Sequence, residues 1–321
     1  MDFFVSLFGR WERVWAHRHL LGIRPLTRED ILLVLERAAH WREFLEASPK
    51  FENILSGYSM VCLFFEPSTR TRMSFEMAGK LLGMNVLNFS LEGSSLEKGE
   101  SFRDTVRTIA RMKADVLVVR HRDSGVPEYL ASFLPCHVVN AGDGMREHPT
   151  QALLDLLAIR RTLGRIEGLR VAILGDILHS RVARSLALAL MKLGNSVVFS
   201  GPPTLVPESV LALGAERVFP VEQAVEGADV VYLLRIQRER QEAGYFPSLQ
   251  EYTRFFGLGE RLLTRMKEGA FIMHPGPVNR GVEIEHRFVE HESSLIEEQV
   301  TCGVAVRMAV LEILLRGEKT S

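Results

Sequence analysis

Short apolar runs alternate with longer amphipathic stretches along most of this chain, and that alternation restricts the fold more than any other feature. Ser59 to Phe65, Asn85 to Phe89 and Val116 to Val119 have the length and apolar content of buried strands, and Val138-Val139 continues the series. Met73 to Leu82 and Ser101 to Met112, lying between them, carry a helical period instead. Strands separated by helices join by crossovers rather than hairpins, so the pattern predicts βαβ units and parallel sheets. A second series begins with Arg170 to Leu174 and continues through Val197 to Ser200, Val230 to Leu234 and Phe271 to His274. Between the two series runs one long amphipathic helix, His148 to Leu163, ended by Gly164 to Gly168.

A chain of 321 residues exceeds what one hydrophobic core usually serves. The predicted architecture is therefore α/β, with two domains, each a parallel sheet flanked by helices, joined by the long interdomain helix. The expected divisions are an N-terminal extension of unknown role (1–17), a first domain (18–150), a second domain (151–301) and a C-terminal helix (302–321). The last pattern, Gly303 to Leu315, is helical and is expected to pack back on the first domain. Thr27 followed three residues later by Asp30 approximates a capping box, so a helix starts there and runs to Leu45.

Composition mainly excludes. Hydrophobic residues at 46% and charged residues at 25% are ordinary for a globular protein. A formal net charge of −1 gives no electrostatic reason to expect nucleic acid or an anionic membrane surface as partner. No apolar run reaches the ~18 residues needed to span a bilayer. Residues 1–17 mix Phe3, Phe4, Trp11 and Trp15 with Asp2, Arg10, Glu12 and Arg13, unlike a secretory signal. Cys62, Cys136 and Cys302 form no CxxC pair, as expected of reduced, buried thiols in the cytoplasm rather than disulfides or a metal site.

Ser68-Thr69-Arg70-Thr71-Arg72 lies between a predicted strand and a predicted helix. Free N–H groups and the helix dipole make such an N-terminus an anion site, with hydroxyls and guanidinium groups adding donors. Taken alone, Ser and Thr here would usually only cap a helix. The wider segment Phe64-Phe65-Glu66-Pro67-Ser68-Thr69-Arg70-Thr71-Arg72-Met73-Ser74-Phe75-Glu76 closely resembles the carbamoyl-phosphate signature of the aspartate and ornithine carbamoyltransferases. The resemblance continues in order through Lys98-Gly99-Glu100, Val119-Arg120-His121, His148-Pro149-Thr150-Gln151 and Arg181. It ends with Leu234-Arg235-Ile236-Gln237 and His274-Pro275-Gly276-Pro277, covering residues 18 to 316.

This resemblance implies transfer of a carbamoyl group from carbamoyl phosphate to the amino group of L-aspartate, a step of pyrimidine biosynthesis. Ornithine or another amino acid is the alternative acceptor, although the ornithine enzymes carry a cysteine-containing motif where this chain has His274 to Pro277. By the same resemblance, Ser68, Thr69, Arg70 and Thr71 bind the phosphate. Arg120 and His148 join Thr71 at the carbonyl oxygen, and Gln151 binds the carbamoyl NH2. Gly276 and Pro277 belong to the loop that offers backbone carbonyls, and Gly276 departs from the Leu common at that position. Arg181 takes the α-carboxylate of aspartate, while Arg235, with Gln237 beside it, takes the β-carboxylate. Ser94, or Ser95 in its place, and Lys98 are donated by a neighbouring subunit, Lys98 also meeting the aspartate, and Glu66 and Arg240 tie the domains in the closed form. A homotrimer follows, cytoplasmic, with regulatory or pathway subunits as further partners and no metal or organic cofactor. Gly175-Asp176 lacks the second and third glycines of a dinucleotide loop, so no nicotinamide site is expected.

Overall fold

The computed structural model describes residues 15–47, 51–89, 99–236 and 248–317. Strands β1 (Ser59–Phe64), β2 (Asn85–Phe89), β3 (Val116–His121) and β4 (His137–Asp143) form a parallel sheet in the order β2-β1-β3-β4. Strands β5 (Arg170–Leu174), β6 (Ser196–Ser200), β7 (Glu216–Arg217), β8 (Val230–Leu233) and β9 (Phe271–Met273) form a second parallel sheet, in the order β7-β6-β5-β8-β9. In each sheet the chain starts centrally, builds one flank, then crosses to the other. Each therefore has a switch point, between β1 and β3 and between β5 and β8, where a crevice opens at the carboxyl ends.

The helices fill the space around these sheets. Helix α1 is Arg28–Glu46, α2 Thr69–Leu81, α3 Phe102–Arg111 and α4 Val126–Ala131. Helix α5 is Pro149–Leu163, α6 Arg181–Lys192, α7 Val221–Val225, α8 Leu249–Phe256, α9 Glu260–Leu263, α10 His286–Val289 and α11 Ile296–Arg316. Side-chain alternation assigns the faces. Met60, Cys62 and Phe64 of β1 join a central core with α1, α5 and α11, and Val61 and Leu63 pack the opposite face with Val106 and Leu130. That central core runs on without a break into Val171, Ile173, Phe199 and Tyr232 of the second sheet. Ala172, Val198 and Val231 face a separate cluster on the far side. The two sheets thus share one hydrophobic interior across α5 and α11.

Thr27 caps α1 in a full capping box: its hydroxyl accepts from Asp30 N at 3.1 Å, and Asp30 Oδ2 accepts from Thr27 N at 2.8 Å. Two helix starts differ from the sequence expectation. Helix α2 begins at Thr69 rather than Met73, because Ser68 already has extended N-cap geometry. Thr69, Arg70 and Thr71 are therefore its first turn. Helix α11 begins at Ile296 rather than Gly303. Gly303 looks like punctuation in sequence, but a β-carbon there would stand 2.7 Å from Arg307 Nη1 and 3.3 Å from Leu154 Cδ2. It is a close-packing glycine inside the helix. The three cysteines are buried and unbridged, and burial pushes the Cys62 thiol up to about 12 and the Cys136 thiol up to about 11.

Helix α11 is fastened to α1 by a buried acid. Glu312 accepts from Trp41 Nε1 at 2.8 Å and from Arg37 Nε at 2.5 Å, and a second contact joins it to Arg37 Nη2. Removing one member of a buried ion pair leaves the other charge uncompensated, at about 3–5 kcal/mol. Glu312→Ala should lower the unfolding free energy in urea by about 3 kcal/mol, and a loss below about 1 kcal/mol would mean apolar packing alone holds α11 in place.

Candidate active site

The crevices of the two sheets open onto one cleft of about 650 Å³. From the first sheet, the turn after β1 supplies Glu66, Ser68, Thr69, Arg70 and Thr71, and the end of β3 supplies Arg120. Helix α5 contributes His148 at its N-cap and Gln151 in its first turn. From the second sheet come Arg181, at the start of α6 beyond β5, and Arg235, just beyond β8. His274 to Pro277 after β9 closes one side. Every described residue that the sequence singled out for the site lines this single cleft. Ser94, Lys98, Gln237 and Arg240 lie outside the described residues.

Local geometry explains why these side chains face inward. The Ser68 hydroxyl makes no capping bond to α2, so it and the first-turn N–H groups remain for a ligand. Gly276 has φ +65°, and a β-carbon there would stand 1.8 Å from Arg70 Nη1. The departure from Leu thus makes room: the Arg70 guanidinium fills the space a side chain would take. Gly276 N donates to His274 Nδ1 at 2.9 Å, which fixes the ring over the loop. Arg120 Nη1 donates to Ala141 O at 3.1 Å. Glu66 grips Arg181 with both oxygens, at 2.9 and 3.2 Å, and its Oε2 lies 3.6 Å from Arg120 Nε. Asp176 is wholly buried and accepts from His179 N at 3.1 Å, which closes a local turn.

The electrostatics are those of a site built for anions. Arg70, Arg120, Arg181 and Arg235 converge, and Glu66 is the one carboxylate among the described lining residues. Burial, then Arg120, Arg181 and Arg307, hold His148 well below the usual imidazole range. Burial, then Arg70 and Arg235, pull His274 down to about 3. Both rings are neutral near pH 7, so each carries one N–H donor and one acceptor nitrogen. His148 Nδ1 and His274 Nε2 are buried and have no hydrogen-bond partner among the described residues. Also among the described residues, no cluster of His, Cys, Asp or Glu could hold a metal ion.

Three functional features escaped the sequence reading. Gln299, Gly303 and Arg307 of α11 line the cleft at successive steps of four, one helical face. Gln299 and Arg307, polar residues two turns apart on one face of a largely apolar helix, were the available signal. Arg307 lies fully inside the protein with its guanidinium 5.0 Å from the Phe75 ring centre, and burial pulls it down to about 9.

Residues 18–161 match the family model described as "Aspartate/ornithine carbamoyltransferase, carbamoyl-P binding domain". Residues 167–314 match "Aspartate/ornithine carbamoyltransferase, Asp/Orn binding domain". The chain belongs to the aspartate/ornithine carbamoyltransferase family. It is 51% identical over 304 residues, 95% of this chain and 97% of the other, to the aspartate carbamoyltransferase catalytic subunit of Desulforamulus reducens. The same-named subunit of Beijerinckia indica is 52% identical over 300 residues, 94% of this chain and 95% of the other. The fold superposes with a TM-score of 0.83 on aspartate transcarbamoylase from Trypanosoma cruzi in complex with N-(phosphonacetyl)-L-aspartic acid, at 32% identity, covering 91% of this chain and 94% of that one. Ornithine carbamoyltransferase from Pyrococcus furiosus also gives 0.83, at 30% identity over 94% and 98% of the two chains. Overall shape therefore does not separate the two acceptors within the family, whereas the curated relatives at about half identity carry the aspartate name.

The buried histidines make acid stability a test of this arrangement. Unfolded, His274 takes a proton near the ordinary imidazole value of 6.5; folded, it stays neutral down to about 3. Its contribution to stability is present above about pH 6.5 and is lost as pH falls, by about 1.4 kcal/mol per pH unit. His274→Asn removes that proton uptake. Its urea-unfolding free energy should therefore fall less steeply between about pH 5.5 and 4.5 than that of the wild type, by about this slope. Parallel slopes would show that His274 is charged in the folded protein.

Proposed function

We propose that the cleft carries out carbamoyl transfer from carbamoyl phosphate to the amino group of L-aspartate, giving N-carbamoyl-L-aspartate and phosphate. The observation that carries this reading is that Arg70, at the α2 N-terminus beyond the first sheet, lines one cleft with Arg181 and Arg235, which follow strands of the second sheet. The first suits a phosphate; the other two suit the two carboxylates of one amino acid. The wall beside Arg235 supports aspartate over ornithine, whose side chain is cationic.

The phosphate is held by Ser68, Thr69, Arg70, Thr71 and the free N–H groups of α2. The aspartate amine attacks the carbamoyl carbon, a C–N bond forms, and negative charge collects on the carbonyl oxygen. Thr71, Arg120 and neutral His148 donate to that oxygen, and losing one such donor typically slows a reaction about 100- to 1000-fold. The carbon–oxygen bond to phosphate then breaks, and the departing phosphate takes the amine proton. Gln151 and the backbone carbonyls at Gly276 and Pro277 hold the carbamoyl NH2. Arg181 takes the α-carboxylate, Arg235 the β-carboxylate with Gln237 beside it, and Glu66 and Arg240 join the domains in the closed form. The working unit is a cytoplasmic homotrimer of pyrimidine biosynthesis in which Ser94 and Lys98 enter the neighbouring subunit's site, and regulatory or pathway subunits can join it. No metal or organic cofactor takes part, because carbamoyl phosphate already carries its leaving group.

Product formation with aspartate, ornithine and alanine offered separately tests the acceptor. Arg235→Ala should reduce kcat/KM for aspartate on the order of 100-fold, since removing one partner of a buried charge pair costs several kcal/mol, and leave an amino acid without the β-carboxylate nearly unaffected. Equal losses for aspartate and alanine would place Arg235 elsewhere. Subunit sharing has its own test. Arg70→Ala and Lys98→Ala chains, each nearly inactive alone, should recover about a quarter of wild-type activity after dissociation and random remixing, as closed threefold symmetry requires. No recovery despite confirmed exchange would mean that each chain builds its own site.

A further inference from the structure

Gln151 reaches the cleft from the first turn of α5, and a side-chain amide has two unlike ends, an NH2 with two donors and an oxygen that accepts. Which end meets a ligand depends on what holds the other. Gln151 Nε2 donates to Asp155 Oδ1 at 3.0 Å, one turn along the same helix. The same oxygen accepts from Gln299 Nε2 at 2.7 Å, and Asp155 Oδ2 accepts from the Tyr232 hydroxyl at 2.8 Å. Gln299 Oε1 in turn accepts from His274 N at 3.0 Å. One carboxyl therefore connects α5, β8, α11 and, through Gln299, the loop after β9. Asp155 is fully buried and does not line the cleft, so the carboxyl at the centre of this network is shielded while Gln151, Gln299 and His274 around it reach the site.

We propose, resting on the reading that Gln151 contacts the carbamoyl NH2, that Asp155 is a positioning residue for carbamoyl recognition. It holds the Gln151 amide with its oxygen toward the cleft and in register with the His274 to Pro277 loop. A carboxylate offers only acceptors, so the Gln151 NH2 has to face it. A reversed amide would set oxygen against oxygen beside a buried carboxylate and strand the NH2, leaving both groups unsatisfied. The remaining oxygen is an acceptor suited to a ligand NH2. Because Gln299 joins the same carboxyl to His274 N, the two acceptors proposed for the carbamoyl NH2, the Gln151 oxygen and the loop carbonyls, are set by one anchor. The network gives the site a means of telling a carbamoyl group from an acyl group of the same shape that lacks donors.

Calorimetric titration of the full-length protein tests this without catalysis. Two probes are used: phosphonoacetamide, which carries an amide NH2 beside a phosphonate, and inorganic phosphate, which has none. Titrations are run at about pH 8, above the value of about 7 to which burial pushes the Asp155 carboxyl. Asp155→Ala and Gln151→Ala should each lower the preference for phosphonoacetamide over phosphate about tenfold, with phosphate affinity kept within about twofold, as the loss of one hydrogen bond predicts. The double variant should lose no more than either single one. If Asp155→Ala does not fold, Asp155→Ser, which leaves a hydroxyl and room for water, is measured with the same expectation. An unchanged preference in Gln151→Ala would overturn the reading of Gln151 and this inference with it. A lowered preference in Gln151→Ala but not at Asp155 overturns the positioning role alone. So does a loss at Asp155 that is equal for both probes and additive with Gln151→Ala, the mark of a purely structural residue.

Discussion

Guanidinium groups gathered out of water repel one another, and the structure is arranged around tolerating that repulsion at one place. Arg70, Arg120, Arg181, Arg235 and Arg307 all line the same cleft, and burial depresses Arg70 and Arg307 from their usual range. Two carboxyls temper the field. Glu66 bridges toward Arg120 and grips Arg181, and Asp155 lies behind the wall near Arg307. Neither neutralises the centre. A bound dianion would relieve repulsion as well as form hydrogen bonds, so charge the protein carries at some expense of stability becomes affinity for phosphate and carboxylate.

The fold makes that gathering possible by placing two crevices face to face. A parallel sheet built outward from a central strand leaves its switch point at the carboxyl ends, where the following turns present N–H groups and side chains. Both sheets do this, and the interior shared through α5 and α11 sets their crevices against each other. The same two helices supply polar residues to the cleft: His148 and Gln151 from α5, Gln299 and Arg307 from α11. Packing and chemistry thus draw on the same elements, and Leu154 serves both the core and the cleft wall. A shift of either helix would disturb the core and the site together.

Much of this was legible in the residues because the period of the apolar pattern is a direct consequence of burial. The strands of both sheets, the capping box at Thr27 and the long helix ended by Gly164 all follow from local rules, and the structure places them within a few residues of expectation. The site residues were named for a different reason, the resemblance of successive motifs to those of the carbamoyltransferases; the described ones share one cleft because they sit at strand ends and helix starts, where a parallel fold brings distant segments together. What escaped was tertiary. Gly303 carries the sequence signal of a helix boundary but serves as a close contact with Leu154 and Arg307, a role only the packed neighbours reveal. Asp155 reads as one polar position in an amphipathic helix, and nothing local says that Tyr232 and Gln299 converge on it. The brief β7 and the short helices α7, α9 and α10 carry too few residues to establish a period.

Burial and the positive field together settle the protonation of the imidazoles in the cleft. Burial disfavours an imidazolium at His148, and Arg120, Arg181 and Arg307 add to that, so the ring is held neutral. A neutral ring can still donate from one nitrogen while the other accepts, and it need not be deprotonated before each turnover. His274, neutral for the same cause, accepts from Gly276 N and so shapes the loop instead of contributing charge. The arginines of the cleft therefore add to burial in fixing the state of the imidazoles beside them. The same rings open to water and away from cations would titrate near neutrality, and their donors would change with pH. Burial and charge density together keep the donors of this cleft constant.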